Sequence, residues 1–214
     1  MNDTLSHLDS LLKRFPDLNC CEEEIRSAFE LLADCYDRGG CVFTCGNGGS
    51  AADAEHMVGE LLKGFLLKRP LSADEKRRLQ AAAAEDGTFL AEHLQYGLRA
   101  ISLMSPLAIN SAVANDQGGD LGVAQQLFAL GQPGDVLVAF STSGNAKNVA
   151  YAAQIAKHRE LKVIGLSGQH GGRLSHLADA CIHAPSSETY RTQEYHLPIY
   201  HCLCMMLEAR YFAE

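Results

Sequence analysis

Apolar positions along this chain fall into two kinds of run. Up to about residue 38 they recur at helical spacing. Leu5, Leu8, Leu11 and Leu12 form one stripe and, after a break at Pro16, Ile25, Ala28, Phe29 and Leu32 form a second, which predicts an N-terminal helical pair. From Gly40 onward short, continuous apolar runs take over. Gly40–Thr44, Ala100–Leu103, Asp135–Phe140, Lys162–Ser167 and Ala180–Ala184 read as strands, and helix-like segments separate them, most clearly Ser50–Phe65, Ala146–Lys157 and Thr192–Phe212. Strands alternating with helices predict an α/β fold of three layers, a parallel sheet between two helical ones. Such sheets bind ligands outside the carboxyl ends of their strands. One stretch departs from the alternation. Residues 71–98 are charged and alanine-rich, with Ser72 and Glu75 spaced as a capping box, and predict a helical insertion on the surface.

No repeat or low-complexity linker interrupts the pattern, so residues 1–214 are expected to form one domain. A net charge of −8 with no basic stripe excludes a general nucleic-acid-binding surface. The eight cysteines contain no C-x-x-C pair and follow no recognisable leader, which predicts a reduced, cytoplasmic protein without disulfides. No apolar run reaches the roughly 20 residues that a membrane crossing needs.

Chemistry enters through two loops. Thr44-Cys45-Gly46-Asn47-Gly48-Gly49-Ser50 and Phe140-Ser141-Thr142-Ser143-Gly144-Asn145 each end a strand-like run and open a helix-like one. At such a helix start the free N–H groups face outward at the positive end of the helix dipole, and small hydroxyl side chains add donors, so two loops of this kind suggest a phosphorylated ligand held from two sides. Gly46 to Ala51 also satisfies G-x-G-x-x-A. A dinucleotide site wants an acidic residue about 20 positions on, however, and Phe65-Leu66-Leu67-Lys68-Arg69-Pro70 offers none; no G-x-x-x-x-G-K-[ST] is present either. One hydroxyl suffices to cap a helix, whereas Ser141, Thr142 and Ser143 are three in a row.

A second polar group lies at a distance in sequence. His56 and Glu60 are four apart on the helix after the first loop, and Gln193, Glu194, His196 and His201 fall within nine residues of an otherwise apolar C-terminal helix. An isolated His/Glu pair is most simply a surface ion pair, and a lone histidine on a core-facing helix is most simply structural. Several polar side chains on such a helix need partners, and a metal ion supplies them.

The segments CGNGGSAADAEH, STSGN, Asn115-Asp116 and TQEYHLPIYH together resemble the sugar isomerase (SIS) domain family, and within it the phosphoheptose isomerase branch, over nearly the whole chain apart from residues 71–98. The resemblance implies a flavodoxin-like SIS domain, a homotetramer with active sites at subunit interfaces, and a Zn2+-dependent aldose–ketose isomerase. Its expected reaction converts sedoheptulose 7-phosphate to D-glycero-D-manno-heptose 7-phosphate, for lipopolysaccharide, capsule or other surface-glycan precursors. By position it implies His56, Glu60, Gln193 and His201 as zinc ligands, Glu60 as base and His201 as acid or proton shuttle. Asn47, Ser50, Asn115, Asp116, Ser141, Thr142, Ser143 and Gln193 become substrate contacts. Gln193 and His201 are eight residues apart, ~12 Å along an ideal helix, so meeting one ion requires a kink at Pro198 or a ligand from a neighbouring subunit. An isomerase of another ketose phosphate stays open as an alternative. So does a non-catalytic phosphosugar-binding SIS protein akin to the one that associates with the initiator DnaA.

The chain departs from the family pattern at three places. Ala146 stands where a further phosphate-binding serine is usual, and Gly64, beside Lys63, where an arginine is. Tyr190, near Glu188, occupies the place of an aspartate. The insertion at 71–98 is expected to form a helical flap at the rim of the site, with Glu92 or His93 reaching it.

Overall fold

The computed structural model describes residues 2–213, with side chains from residue 4 onward; Met1 and Glu214 lie outside the described residues. Two helices open the chain, α1 (Asn2–Arg14) and α2 (Glu22–Asp37), joined by a short 3-10 turn that starts at Pro16. Leu8, Leu11, Leu12, Ile25, Ala28, Phe29 and Leu32 are buried as their spacing predicts, whereas Leu5 at the outer edge of its stripe stays exposed.

Among the described residues five strands follow: β1 (Val42–Cys45), β2 (Ala100–Ser102), β3 (Val136–Phe140), β4 (Lys162–Gly168) and β5 (Ala180–Ala184). Every pairing is parallel and the order is β2-β1-β3-β4-β5. The strands are apolar runs rather than alternating ones because both faces are covered. Val42, Val136, Val138, Phe140, Ile164, Leu166 and Ile182 pack into one cluster with α1, α2, α3 (Gly49–Leu62) and α10 (Thr189–Phe212). Cys41, Phe43, Leu137, Ala139 and Val163 pack on the other side under α7 (Gly122–Leu130), α8 (Lys147–His158) and α9 (Gly172–Leu177). The predicted three-layer α/β architecture is the observed one. In a sheet of order 2-1-3-4-5 the connections from β1 and β3 leave in opposite directions, opening a crevice at their carboxyl ends. Both glycine loops lie there.

Residues 71–98 form the expected helical insertion, α4 (Ala73–Ala82) and α5 (Gly87–His93), and α4 buries no side chain. Half of the capping box is made: Ser72 Oγ accepts from the Glu75 N–H at 3.2 Å, while the Ser72 N–H donates to the Tyr96 hydroxyl and Glu75 pairs with Arg78. Among the described residues no hydrogen bond, ion pair or ring contact joins Glu92 or His93 to His56, Glu60 or His201, so the expected reach into the site is not seen within the chain. The His93 ring stacks on Phe89 and bonds its carbonyl at 2.7 Å, while the end of the segment returns to the foot of α3, where the Tyr96 N–H donates to the Arg69 carbonyl at 2.8 Å and the Leu98 N–H to the Leu61 carbonyl at 2.9 Å. The helix α6 (Leu107–Asp116) completes the fold.

Candidate active site

The first loop turns sharply at Gly48, whose φ of +56 lies in the left-handed region that glycine adopts without penalty, and α3 starts with no side-chain cap. The second turns at Gly144, φ +65, where a Cβ would fall 1.8 Å from the Gly171 carbonyl oxygen, so only glycine fits. The helix after it, α8, also lacks a side-chain cap. Ala146, in place of the usual serine, is the reason, and the N–H groups of that first turn are left for another acceptor. Across the β1/β3 crevice, Asn47 and Asn148 exchange two amide hydrogen bonds of 2.8 Å, which lock the loops together. Asn148 was invisible as a site residue in the sequence because nothing about a lone Asn in a first helical turn distinguishes it.

The hydroxyl residues are graded by depth. Ser141 and Ser50 are buried, Thr142 is half-buried and Ser143 is exposed, its Oγ accepting from the Asn145 N–H at 3.2 Å. Asn115 and Asp116 are exposed at the end of α6, bonded to one another at 2.8 Å. The loop that follows them reaches α8, since Asp120 pairs with Lys147 at 3.0 Å.

On α3, His56 Nε2 lies 3.1 Å from Glu60 Oε1, and Lys63 Nζ donates to Glu60 Oε2 at 3.1 Å. The His201 ring stands 5.0 Å from that of His56, nearly perpendicular, and its buried Nε2 has no hydrogen-bond partner among the described residues. Burial, and then the neighbouring His56, hold the His201 pKa below the ordinary imidazole value. Next to His201 opens a cavity of about 450 Å3, whose wall includes His7, Arg14, Phe65, Glu194 and Leu197. Among the described residues no group of three or more His, Cys, Asp or Glu side chains already converges on a single point for a metal. The donor types nevertheless suit zinc: two imidazoles and a carboxylate share one face, and one ring nitrogen has no other partner.

Gln193 does not join them. A Cβ on Gly49 would sit 2.7 Å from the Gln193 Nε2, which places this amide over the first turn of α3. His56 is seven residues further along the same helix, ~10 Å. Helices α3 and α10 therefore run side by side in the same direction, Gln193 at the phosphate-loop end and His201 at the His56 end. His196 also separates from the group. It is fully buried, bonded to the Ser167 carbonyl at 3.3 Å, and burial lowers its pKa to about 4, so it is a neutral core residue.

Tyr200 was not singled out by the sequence, since an aromatic residue on an apolar helix reads as core. It is fully buried, yet its hydroxyl reaches His56 Nδ1 at 2.8 Å and Asp53 Oδ1 at 3.5 Å. Burial pushes the Asp53 pKa up to about 6, against the lowering effects of the Tyr200 hydroxyl and His56, and the buried Asp53 Oδ2 has no partner among the described residues.

A second polar chain has the spacing of a hydrolase triad. Ser175 Oγ lies 3.0 Å from His183 Nε2, and His183 Nδ1 lies 3.1 Å from Glu24 Oε1. A tetrahedral oxyanion would need free donors nearby. The N–H groups of Gly171, Gly172, Arg173, Leu174 and Ser175 all donate within the fold, so this chain ties α9, β5 and α2 together and carries no acyl-transfer chemistry.

Known proteins match this chain over nearly its whole length. The profile of the SIS domain matches residues 7–97 and 80–168. A phosphoheptose isomerase of Helicobacter pylori is 36% identical over 209 residues, covering 98% of this chain and 93% of that protein. One from Shewanella baltica is 34% identical over 212 residues, covering 98% and 94%. The solved structure of a phosphoheptose isomerase from Francisella tularensis superposes with a TM-score of 0.74 at 30% identity, covering 94% of each chain. Among the described residues no helix is long and apolar enough to cross a membrane. With the sheet order, the paired glycine loops and the His56–Glu60–His201 face all in place, the chain belongs to the SIS domain family and, within it, to the phosphoheptose isomerases.

Proposed function

We propose that this enzyme interconverts sedoheptulose 7-phosphate and D-glycero-D-manno-heptose 7-phosphate. The observation that carries the reading is the pairing, on the helix that the first glycine loop opens, of the Glu60 carboxylate and His56 with the unpartnered buried imidazole nitrogen of His201 from α10. The phosphate takes the helix starts, with Asn47, Ser50 and Ser141 to Ser143 around it. The open-chain sugar extends toward Glu60. Asn115 and Asp116 approach from the α6 end, and Gln193, lying over Gly49, suits a sugar or phosphate contact better than a place in the metal shell.

An aldose–ketose interconversion removes a proton from the carbon beside a carbonyl and returns it to the neighbouring carbon, through an enediol. Glu60 is the base that takes and returns this proton, and His201 moves the proton between the two oxygens. His201 is suited to that task while its ring is free of the metal, because burial holds its pKa below the ordinary imidazole value and a neutral ring both accepts and donates. Zinc, held by His56, Glu60 and His201, would polarise the substrate oxygens as charge develops on them. Neighbouring subunits of a tetramer close the site, and the product serves heptose-containing surface glycans.

An NMR time course of the purified protein with sedoheptulose 7-phosphate tests the reaction, and a spectrum unchanged at high enzyme concentration, with zinc supplied, would refute it. The phosphate assignment has its own check. Ser141→Ala combined with Ser143→Ala should weaken sedoheptulose 7-phosphate binding by about 1–3 kcal/mol, the scale of hydrogen bonds to a charged group. Calorimetry that finds the parent affinity moves the phosphate away from this loop.

A further inference from the structure

Behind His56 lies a polar chain that the isomerase chemistry does not use: Asp53, one turn earlier on α3, and the hydroxyl of Tyr200 on α10, which bridges the Asp53 carboxylate and the His56 ring. Burying a phenol oxygen and a carboxylate beside the exposed edge of a helix is costly unless both are used. We infer that Tyr200 and Asp53 are positioning residues that set the tautomer and ring orientation of His56, so that its Nε2 presents a lone pair toward Glu60 and a bound cation. This inference rests on His56 being a metal ligand, as proposed above.

Two proton arrangements satisfy the chain. In one, the Tyr200 O–H donates to His56 Nδ1 and the Nε2–H donates to Glu60 Oε1, 3.1 Å away. In the other the ring proton sits on Nδ1 and donates to the Tyr200 oxygen, Tyr200 turns its own proton to Asp53 Oδ1, and Nε2 is free to bind. The imidazole is neutral and the phenol intact in both; one ring proton changes nitrogen and one hydroxyl rotates. Only a group that both donates and accepts can serve the two states, and a hydroxyl is such a group. Asp53 supplies the acceptor that the second state needs. The ring is also fixed mechanically, because Tyr200 packs edge-on against His56, His201 and Phe140, with centroids 5.6, 4.9 and 5.9 Å away. Histidine ligands generally depend on such a partner at the second nitrogen, and its loss typically lowers metal affinity 10–100-fold.

Tyr200→Phe keeps the packing and removes only the hydroxyl. In the full-length protein, zinc affinity measured by chelator competition should fall about 10–100-fold, while the melting temperature of the metal-free protein stays near the parent's. The His56 Nδ1 resonance in 15N NMR spectra of the metal-free protein should also move. Asp53→Ala should lower zinc affinity in the same direction and Asp53→Asn, which keeps an acceptor oxygen for Tyr200, should restore most of it. This pair of variants decides the matter if Tyr200→Phe fails to fold. Parent zinc affinity together with an unmoved Nδ1 resonance in Tyr200→Phe, or equal affinities in the two Asp53 variants, overturns the inference. If the parent itself binds no zinc, the metal reading fails, and the Nδ1 resonance alone then decides whether Tyr200 orients His56.

Discussion

Glu60→Gln should lower kcat for sedoheptulose 7-phosphate by about 10²–10⁴-fold, the usual contribution of a positioned general base, while leaving substrate affinity within a few fold. The side chain is 12% exposed and held between His56 and Lys63, so its position is set before substrate arrives. Glutamine retains the shape and one oxygen for His56 and Lys63 but cannot take a proton from carbon. Glu60 is also assigned to the metal, and the two duties predict different responses to added zinc. A variant that has lost only a ligand regains activity as zinc is raised, because mass action refills the site. One that has lost its base stays slow with the site full. Measuring kcat at zinc concentrations that saturate the variant therefore isolates proton transfer, and recovery to near parent rates would leave Glu60 a ligand and put the base elsewhere.

Where sequence and structure agree, one chemical property decided the matter locally. The strands were legible because a sheet covered on both faces needs continuous apolar runs, and the phosphate loops because a strand ending in Gly, Asn and hydroxyl residues ahead of a helix has few other uses. The polar residues of α10 were harder. Gln193, His196 and His201 look alike in a string of letters, and only the course of α10 against α3 and β4 separates the amide over Gly49, the core histidine under Ser167 and the orphaned nitrogen beside His56. Tyr200 was missed for the opposite reason. Its ring belongs to the core pattern and its single oxygen carries no periodicity. The capping box at Ser72 was half right because Tyr96, 24 residues away, competes for the Ser72 N–H. In each case a long-range partner decided between local options of similar cost.

The same limit hid the interaction with the largest expected effect on stability. In the sequence Phe65 to Pro70 stands out only for lacking the acid of a dinucleotide site, yet Arg69 is buried and its guanidinium meets Glu208 of α10 at 2.9 Å. Arg69 also donates to the carbonyls of Leu61 at 2.9 Å and Glu60 at 3.3 Å, closing the end of α3, while the Glu208 carboxylate accepts the N–H groups of Phe65, Leu66 and Leu67 at 2.7–2.9 Å. Burial alone would raise the Glu208 pKa; the three amides and Arg69 outweigh it, and the net shift is downward. Glu208→Leu strands a buried cation and three amides, and should cost about 3–5 kcal/mol, which for a domain of this size is about 6–20 °C in melting temperature. Pairing it with Arg69→Met removes the stranded charge and should recover at least half of that loss. If the double variant melts no higher than Glu208→Leu alone, the damage comes from the orphaned amides and not from the ion pair. The pH dependence follows the same sign. A carboxylate whose pKa is lower folded than unfolded contributes its full stability above the unfolded value near 4.3 and loses it as pH falls through the folded one. Denaturant titrations of the parent should therefore show stability falling below about pH 4.3, and this part of the fall should be absent in the double variant.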